Sequence, residues 1–273
     1  MQLVLSTFTN IGMLDIPFSE IGFCVVSAGD TINGSHFDIR NFHAPPNKFD
    51  GVIGGSPCQD FSKARRTPPT GNGLAMIAEF CRVVSEASPE WFLHENVEGC
   101  PDISVEGYNV QRFMLNAKNC GSSQNRNRKF QFGSKKGYLL QINREPSPIV
   151  ISRCVTASEG KSVERRTWED FCTLQGLPPN FDLPEFHTAA AYRAVGNGVN
   201  LFAGRKVAAA IRDATEGKTP SCITAFNFCL CGCGEILRGK QLMKTDACRK
   251  RMQKRRECAR LNEPRGITET AKY

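Results

Sequence analysis

Gly51-Val52-Ile53-Gly54-Gly55-Ser56-Pro57-Cys58-Gln59-Asp60-Phe61-Ser62 is the most informative stretch of this 273-residue chain. Gly51–Gly54 is short and apolar, as a buried strand is. It ends on two glycines, after which Pro57 fixes the backbone and Cys58 follows on a loop. A lone cysteine in such a place is as readily a buried structural thiol as a reactive one, so its company decides. Glu95, 37 residues after Cys58, opens Glu95-Asn96-Val97 at the end of a second apolar run, Trp91–His94. A third segment, Gln124-Asn125-Arg126-Asn127-Arg128, stands just before the β-like Phe130-Gln131-Phe132.

Before this stretch, Leu3–Phe8 and Cys24–Ala28 read as two further strands. After it, Ala75–Ala87 carries Met76, Phe80, Val83, Val84 and Ala87 at helical spacing. Strands separated by helices predict βαβ units and a mostly parallel α/β sheet. Ligands of such sheets bind beyond the carboxyl ends of the strands, where the unusual residues of this chain fall. Thr167–Asp213 reads as a short helix, a turn at Leu177-Pro178-Pro179 and a final helix from about Asn200. Residues 1–213 are expected to form the main domain and 214–221 a linker. A basic, Cys-rich module over 222–261 and a disordered end over 262–273 follow. No internal repeat is present.

The bulk numbers suit a large α/β domain with an appendage: 40% of residues are hydrophobic and 23% charged. No apolar run approaches the roughly 18–20 residues of a membrane span, and Met1–Asn10 lacks the pattern of a signal peptide. The expectation is a soluble monomer in the cytoplasm of a bacterial or phage-infected cell. Thirteen cysteines, eight of them scattered without repeating spacing, fit reduced thiols better than a disulfide framework. From Arg238 to Arg260 there are ten Lys or Arg against two acids, an excess equal to the whole net charge of +8. The attraction for a polyanion such as DNA therefore sits in the tail.

The Pro-Cys-Gln loop, the Glu-Asn-Val turn and the Gln-x-Arg-x-Arg segment occur in the order found in the DNA cytosine-5 methyltransferases, which this chain resembles from about Leu3 to Ile211. Leu174-Gln175-Gly176-Leu177-Pro178 and Val195-Gly196-Asn197-Gly198-Val199 extend the resemblance. It implies a Rossmann-like fold dependent on S-adenosylmethionine and methyl transfer to C5 of a cytosine flipped out of double-stranded DNA. In that pattern Cys58 is the nucleophile toward C6 and Glu95 the acid at N3. Asn96 holds the turn, and Arg126 and Arg128 secure the cytosine O2 and the loop. The residue types suit the chemistry: thiolate addition turns C5 into a nucleophile, and a protonated carboxyl offsets the charge developing at N3. The same motifs admit two alternatives, a tRNA cytosine-5 methyltransferase and a catalytically idle nucleic-acid-binding relative.

The resemblance places the cofactor against Phe8, Asn10, Gly12, Asp30, Asp38, Pro57, Asn197 and Val199. Asn10 and Met13 stand where the family usually has glycine. Asp30 and Asp38, taken alone, would each be a solvated loop residue or a helix cap. Between Arg128 and Thr167 lie 38 residues, far fewer than the family's recognition domain, and they are expected to make one or two hairpins. So short an insert is similar to phage or mobile-element members. Cys229, Cys231, Cys233 and Cys248, beside a basic helix, are a candidate tetrahedral zinc site, although their spacing departs from the usual Cys-x2-Cys to Cys-x4-Cys.

Overall fold

The computed structural model describes residues 1–65 and 67–218 and, beyond them, 227–228, 236–237, 245–247, 249–250 and 253. The chain divides into two units, Met1–Ile223 and Thr224–Tyr273.

The first unit is built on one six-stranded sheet, in the order β2-β1-β3-β4-β6-β5. Its strands are β1 (Leu3–Thr7), β2 (Cys24–Ser27), β3 (Gly51–Gly54), β4 (Trp91–Asn96), β5 (Asn109–Asn116) and β6 (Asn127–Ser134). The first four are parallel, and β6 runs antiparallel between β4 and β5. The mostly parallel α/β sheet expected from the sequence is therefore observed.

Alternation along the central strands divides their side chains between two cores. Val4, Ile53, Trp91 and Leu93 face one, with α1 (Asp15–Glu20) and α5 (Leu201–Thr215) packed over them. Leu5, Val52 and Phe92 face the other, under α2 (Asn72–Ala87). The spacing of Met76, Phe80, Val83, Val84 and Ala87 works as anticipated: all five are buried on α2. Burying each large apolar side chain contributes roughly 1.5–3 kcal/mol. A third core joins Met13 to Phe171 of α3 (Trp168–Gln175) and to Tyr192 and Val195 of α4 (Thr188–Asn197).

One expectation changes. The segment 129–166 makes no hairpin of its own. Its first six residues complete β6, and after them come an isolated bridge, Gln124 to Ser152, and a single 3-10 turn, Glu159–Lys161. Gly196 and Asn197 form the carboxyl end of α4, with Gly198 as its cap, because Ala191, Tyr192, Ala194 and Val195 give that segment a buried helical face.

In the second unit, β7 (Asn227–Phe228) pairs antiparallel with β8 (Ile236–Leu237). The four cysteines of the expected zinc site and residues 254–273 lie outside the described residues. Among the described residues no helix is long and apolar enough to cross a membrane, and no group of three or more His, Cys, Asp or Glu is placed to hold a metal ion.

Candidate active site

The carboxyl ends of β1 to β4 all feed one region, as an open parallel sheet requires. After β1 the chain turns through three left-handed residues, Phe8 (φ 54°), Asn10 (φ 51°) and Gly12 (φ 77°). Asparagine tolerates this region better than most residues, and here its side chain adds a contact no glycine could make. Asn10 Nδ2 donates to the Ala194 carbonyl of α4 at 2.6 Å, while its backbone N–H donates to Asp30 Oδ2 at 3.2 Å. Asp30, just after β2, also accepts from the Ile32 N–H at 3.0 Å. Met13 is 1% exposed and lies in the third core, close against Gly198.

From β3 the chain leaves the sheet at Gly54 and passes through Ser56 and Pro57 to half-buried Cys58. The backbone of Cys58 is in the sparsely allowed bridge region (φ −97°, ψ −1°). Asn96, at the end of β4, ties this turn down. Its Nδ2 donates to the Ser56 carbonyl at 2.9 Å and to Ser56 Oγ at 3.2 Å, and its Oδ1 accepts from the Val97 N–H. Glu95 is 7% exposed and lies against Gly55, where an added Cβ would stand 3.3 Å from Oε2.

Arg128 Nε approaches Glu95 Oε1 to 3.1 Å as an ion pair, but Oε1 has no hydrogen bond among the described residues. Burial pushes the Glu95 carboxyl above the usual range, and the opposing pull of Arg128 and Arg126 does not cancel it. Burial also raises the Cys58 thiol, and the charge on Glu95 raises it further, against the two arginines. The resting pair is thus not a preformed thiolate. It is a thiol and a carboxyl that both resist ionisation because both are largely desolvated.

Arg126 and Arg128 separate here. Arg126 is 2% exposed and turns its guanidinium onto the chain: it donates to the carbonyls of Val155 (3.1 Å), Gly196 (2.8 Å) and Gly198 (2.8 Å). Burial and neighbouring Arg128 lower its pKa to about 10. Two fully buried glutamines support the same segment. Gln175 Nε2 donates to Val195 O at 2.7 Å, and Gln124 Nε2 donates to Gln175 Oε1 at 3.0 Å.

A cavity of about 430 Å³ gathers Phe8, Asn10, Asp30, Pro57, Cys58, Glu95, Asn96, Arg128, Asn197 and Val199. Three expected residues lie outside its lining. Gly12 shapes the turn from behind, with its N–H donating to Thr9 O at 2.7 Å. Arg126 clamps the end of α4. Asp38 caps its own turn by accepting from the Arg40 N–H and pairs with the Arg40 guanidinium, which lowers its pKa to about 2. Sequence reasoning missed Arg193, which lines the cavity from α4, and His94, buried beneath the Cys58 loop. An arginine on a helix not anticipated, and a histidine inside an apolar strand, gave no separate signal.

Comparison with known proteins agrees with this arrangement. The profile for "C-5 cytosine-specific DNA methylase" matches residues 4–165. Type II methyltransferase M.FnuDI of Fusobacterium nucleatum is 32% identical over 177 residues, which cover 54% of this chain and 51% of that protein. M.NgoPII of Neisseria gonorrhoeae is 29% identical over 170 residues, covering 51% and 50%. The chain spans about half the length of the curated relatives it matches. Among solved structures, the Dnmt2 methyltransferase of S. pombe superposes with a TM-score of 0.54 at 15% identity, covering 80% of this chain and 99% of that one. This last likeness concerns the fold alone. With more than half of its residues matched by the family profile and its motif residues gathered around one cavity, the chain belongs to the C-5 cytosine-specific DNA methylase family.

Proposed function

We propose that this protein transfers a methyl group from S-adenosylmethionine to C5 of cytosine in DNA. The observation that carries this reading is the meeting of Cys58, Glu95 and Arg128 in one cavity with Phe8, Asp30 and Asn197. The residues suit the cofactor. The cavity volume of about 430 Å³ falls within the roughly 300–1,000 Å³ of small-molecule sites. Phe8 offers an aromatic face. Asp30 Oδ2 accepts one backbone N–H, from Asn10, and keeps a lone pair for a hydroxyl. When bound, S-adenosylmethionine supplies an electrophilic methyl group.

The protein's part is to make C5 nucleophilic. A cytosine stacked in a duplex is out of reach, so the target base turns out into the cavity. Cys58 Sγ, as thiolate, bonds to C6, and the electron pair of the C5–C6 double bond becomes available at C5. Glu95 gives its proton to N3 as charge builds there, and Arg128 lies beside it to hold the base and steady the carboxylate that results. After methylation C5 loses its proton to solvent, the sulfur–C6 bond breaks, the double bond returns and Glu95 recovers the N3 proton. The productive pair is thiolate with carboxylic acid. Protonation of Glu95 removes the charge that raises Cys58, leaving the arginines to favour the thiolate. Asn96 and Arg126 hold the backbone on either side of the cavity and do not touch the base.

Incubation with tritiated S-adenosylmethionine and either duplex DNA or tRNA tests the reading. Label recovered as 5-methylcytosine in DNA is expected. Label in tRNA alone would move the substrate to RNA, and none in either would leave an idle relative.

A further inference from the structure

His94 is fully buried at 0% exposure, with its ring 4.8 Å from that of Phe80. It stands on β4 opposite Gly54, the last residue of β3 paired to that strand. Beyond this point the chain toward Cys58 has left the sheet, and side chains take over from the ladder. His94 Nε2 lies 2.9 Å from Ser56 Oγ, and Ser56 is itself buried.

The direction of each bond follows from a count of protons. Asn96 Oδ1 accepts from Val97 N–H, so the group facing Ser56 is the Nδ2 amide, which donates to Ser56 Oγ. The hydroxyl then has one proton left to give, and His94 Nε2 accepts it. Nδ1 has no partner among the described residues in either tautomer. A proton on Nε2 would leave the hydroxyl proton unmatched as well, so the ring is the neutral tautomer with its proton on Nδ1. Burial keeps it neutral by pushing its pKa down to about 3. An imidazolium would present a proton where Ser56 needs an acceptor.

We propose that Ser56 and His94 form a positioning latch that holds the Cys58 turn at a fixed distance from Glu95. The proposal rests on the methyl-transfer reading above. β3 delivers the thiol and β4 the acid, and the latch joins the two just where their backbone pairing ends. His94 does not line the cavity, and Ser56, which does, acts here through its bond to the histidine. The latch acts on the geometry of covalent addition, to which Sγ–C6 attack is sensitive, while the cofactor wall made by Phe8 and Asp30 comes from other segments.

The test uses a long duplex made with 5-fluorocytosine in place of cytosine, so that every sequence context is present. A fluorine at C5 blocks elimination and traps the covalent complex. Ser56→Ala and His94→Asn should each slow trapping on the order of a hundredfold, the scale expected of a small misplacement of reacting groups. Affinity for S-adenosylhomocysteine, measured by calorimetry, should change far less than the trapping rate, and the double variant should be no slower than either single one. His94→Gln should restore most of the rate, because Gln Oε1 reaches as far from the backbone as His Nε2 whereas Asn Oδ1 falls short. Trapping by Ser56→Ala at the wild-type rate would overturn the latch even if the His94 variants fail to fold, and so would equal rates for Gln and Asn. A wild type that does not trap at all would defeat the methyl-transfer reading instead, and the latch with it.

Discussion

Arg128 Nε stands 3.1 Å from Glu95 Oε1, yet Glu95 keeps a raised pKa because burial outweighs both nearby arginines. Arg128 pulls Glu95 and Cys58 in the same direction, downward. Removing it leaves burial less opposed at both groups. In Arg128→Gln, therefore, both limbs of the pH profile of covalent trapping should move to higher pH, and the plateau rate should fall. A profile that loses height but keeps its limbs in place would mean that Arg128 does not set the ionisation of the pair.

Glu95→Gln separates the two titrations. In the wild type the active form, thiolate with carboxylic acid, carries the same number of protons as its tautomer, thiol with carboxylate. The profile should be bell-shaped. Its acid limb lies above the ordinary carboxylate value of 4.5 and its alkaline limb above the ordinary thiol value of 9.0, because both groups are raised. In the amide variant only the thiol titrates. The rate should then rise with pH to a plateau with no alkaline fall, and the midpoint should lie below the wild-type alkaline limb, since the charge that raised Cys58 is gone. The plateau should lie roughly two to four orders of magnitude below the wild type, the range for a lost acid–base group.

Arg126→Met addresses the clamp. It leaves the Gly196 carbonyl without its buried donor, while Gly198 O keeps Gln175 Nε2 and Val155 O keeps only the weak donor Cys154 Sγ. An unsatisfied buried group costs about 1–3 kcal/mol, so a loss of about that size is expected. At roughly 2–4 °C per kcal/mol for a domain of this size, the melting temperature should fall by about 2–12 °C. Affinity for S-adenosylhomocysteine should weaken with it, because Gly196 and Gly198 line the cavity. An unchanged melting temperature would show that the clamp does not hold the fold.

Met13 and Gly198 are complementary in volume. A Cβ on Gly198 would stand 2.2 Å from Met13 Sδ. Gly198→Ala should cost about 1–3 kcal/mol by overpacking and weaken cofactor binding. Adding Met13→Ala should make the double variant more stable than the sum of the single losses by about 1 kcal/mol. Strict additivity in denaturant melts would speak against a direct contact.

Much of this site was legible because its chemistry sits in short local motifs placed after strands. Pro57-Cys58 and Glu95-Asn96 follow or end apolar runs, Arg128 stands just before one, and the alternation of those runs fixes the sheet. Asn10 could be read as tolerant of φ > 0, and it adopts φ 51°. Contacts between distant segments were not legible. Nothing local tells Arg126 from Arg128, two residues apart, yet one donates to carbonyls 29 to 72 residues away and the other faces the cavity. Asp38 taken alone could be read as a helix cap, which it is, but nothing local shows the Arg40 guanidinium folded onto it. The Ser56–His94 bond spans 38 residues and joins two side chains that look ordinary in their own segments. Strand β5, with its half-exposed Asn109–Asn116, lacks the apolar run that marked the inner strands.

Everything proposed for this site depends on Cys58 forming the bond to the target base, and peptide mapping of the trapped complex reads that bond. The protein is incubated with 5-fluorocytosine duplex and S-adenosylmethionine, denatured, digested with protease and nuclease, and analysed by mass spectrometry. A methylated fluorocytosine adduct on the peptide containing Cys58, absent from Cys58→Ser, is expected. An adduct on another of the 13 cysteines, or methyl transfer to ordinary DNA by Cys58→Ser at the wild-type rate, would rule the assignment out.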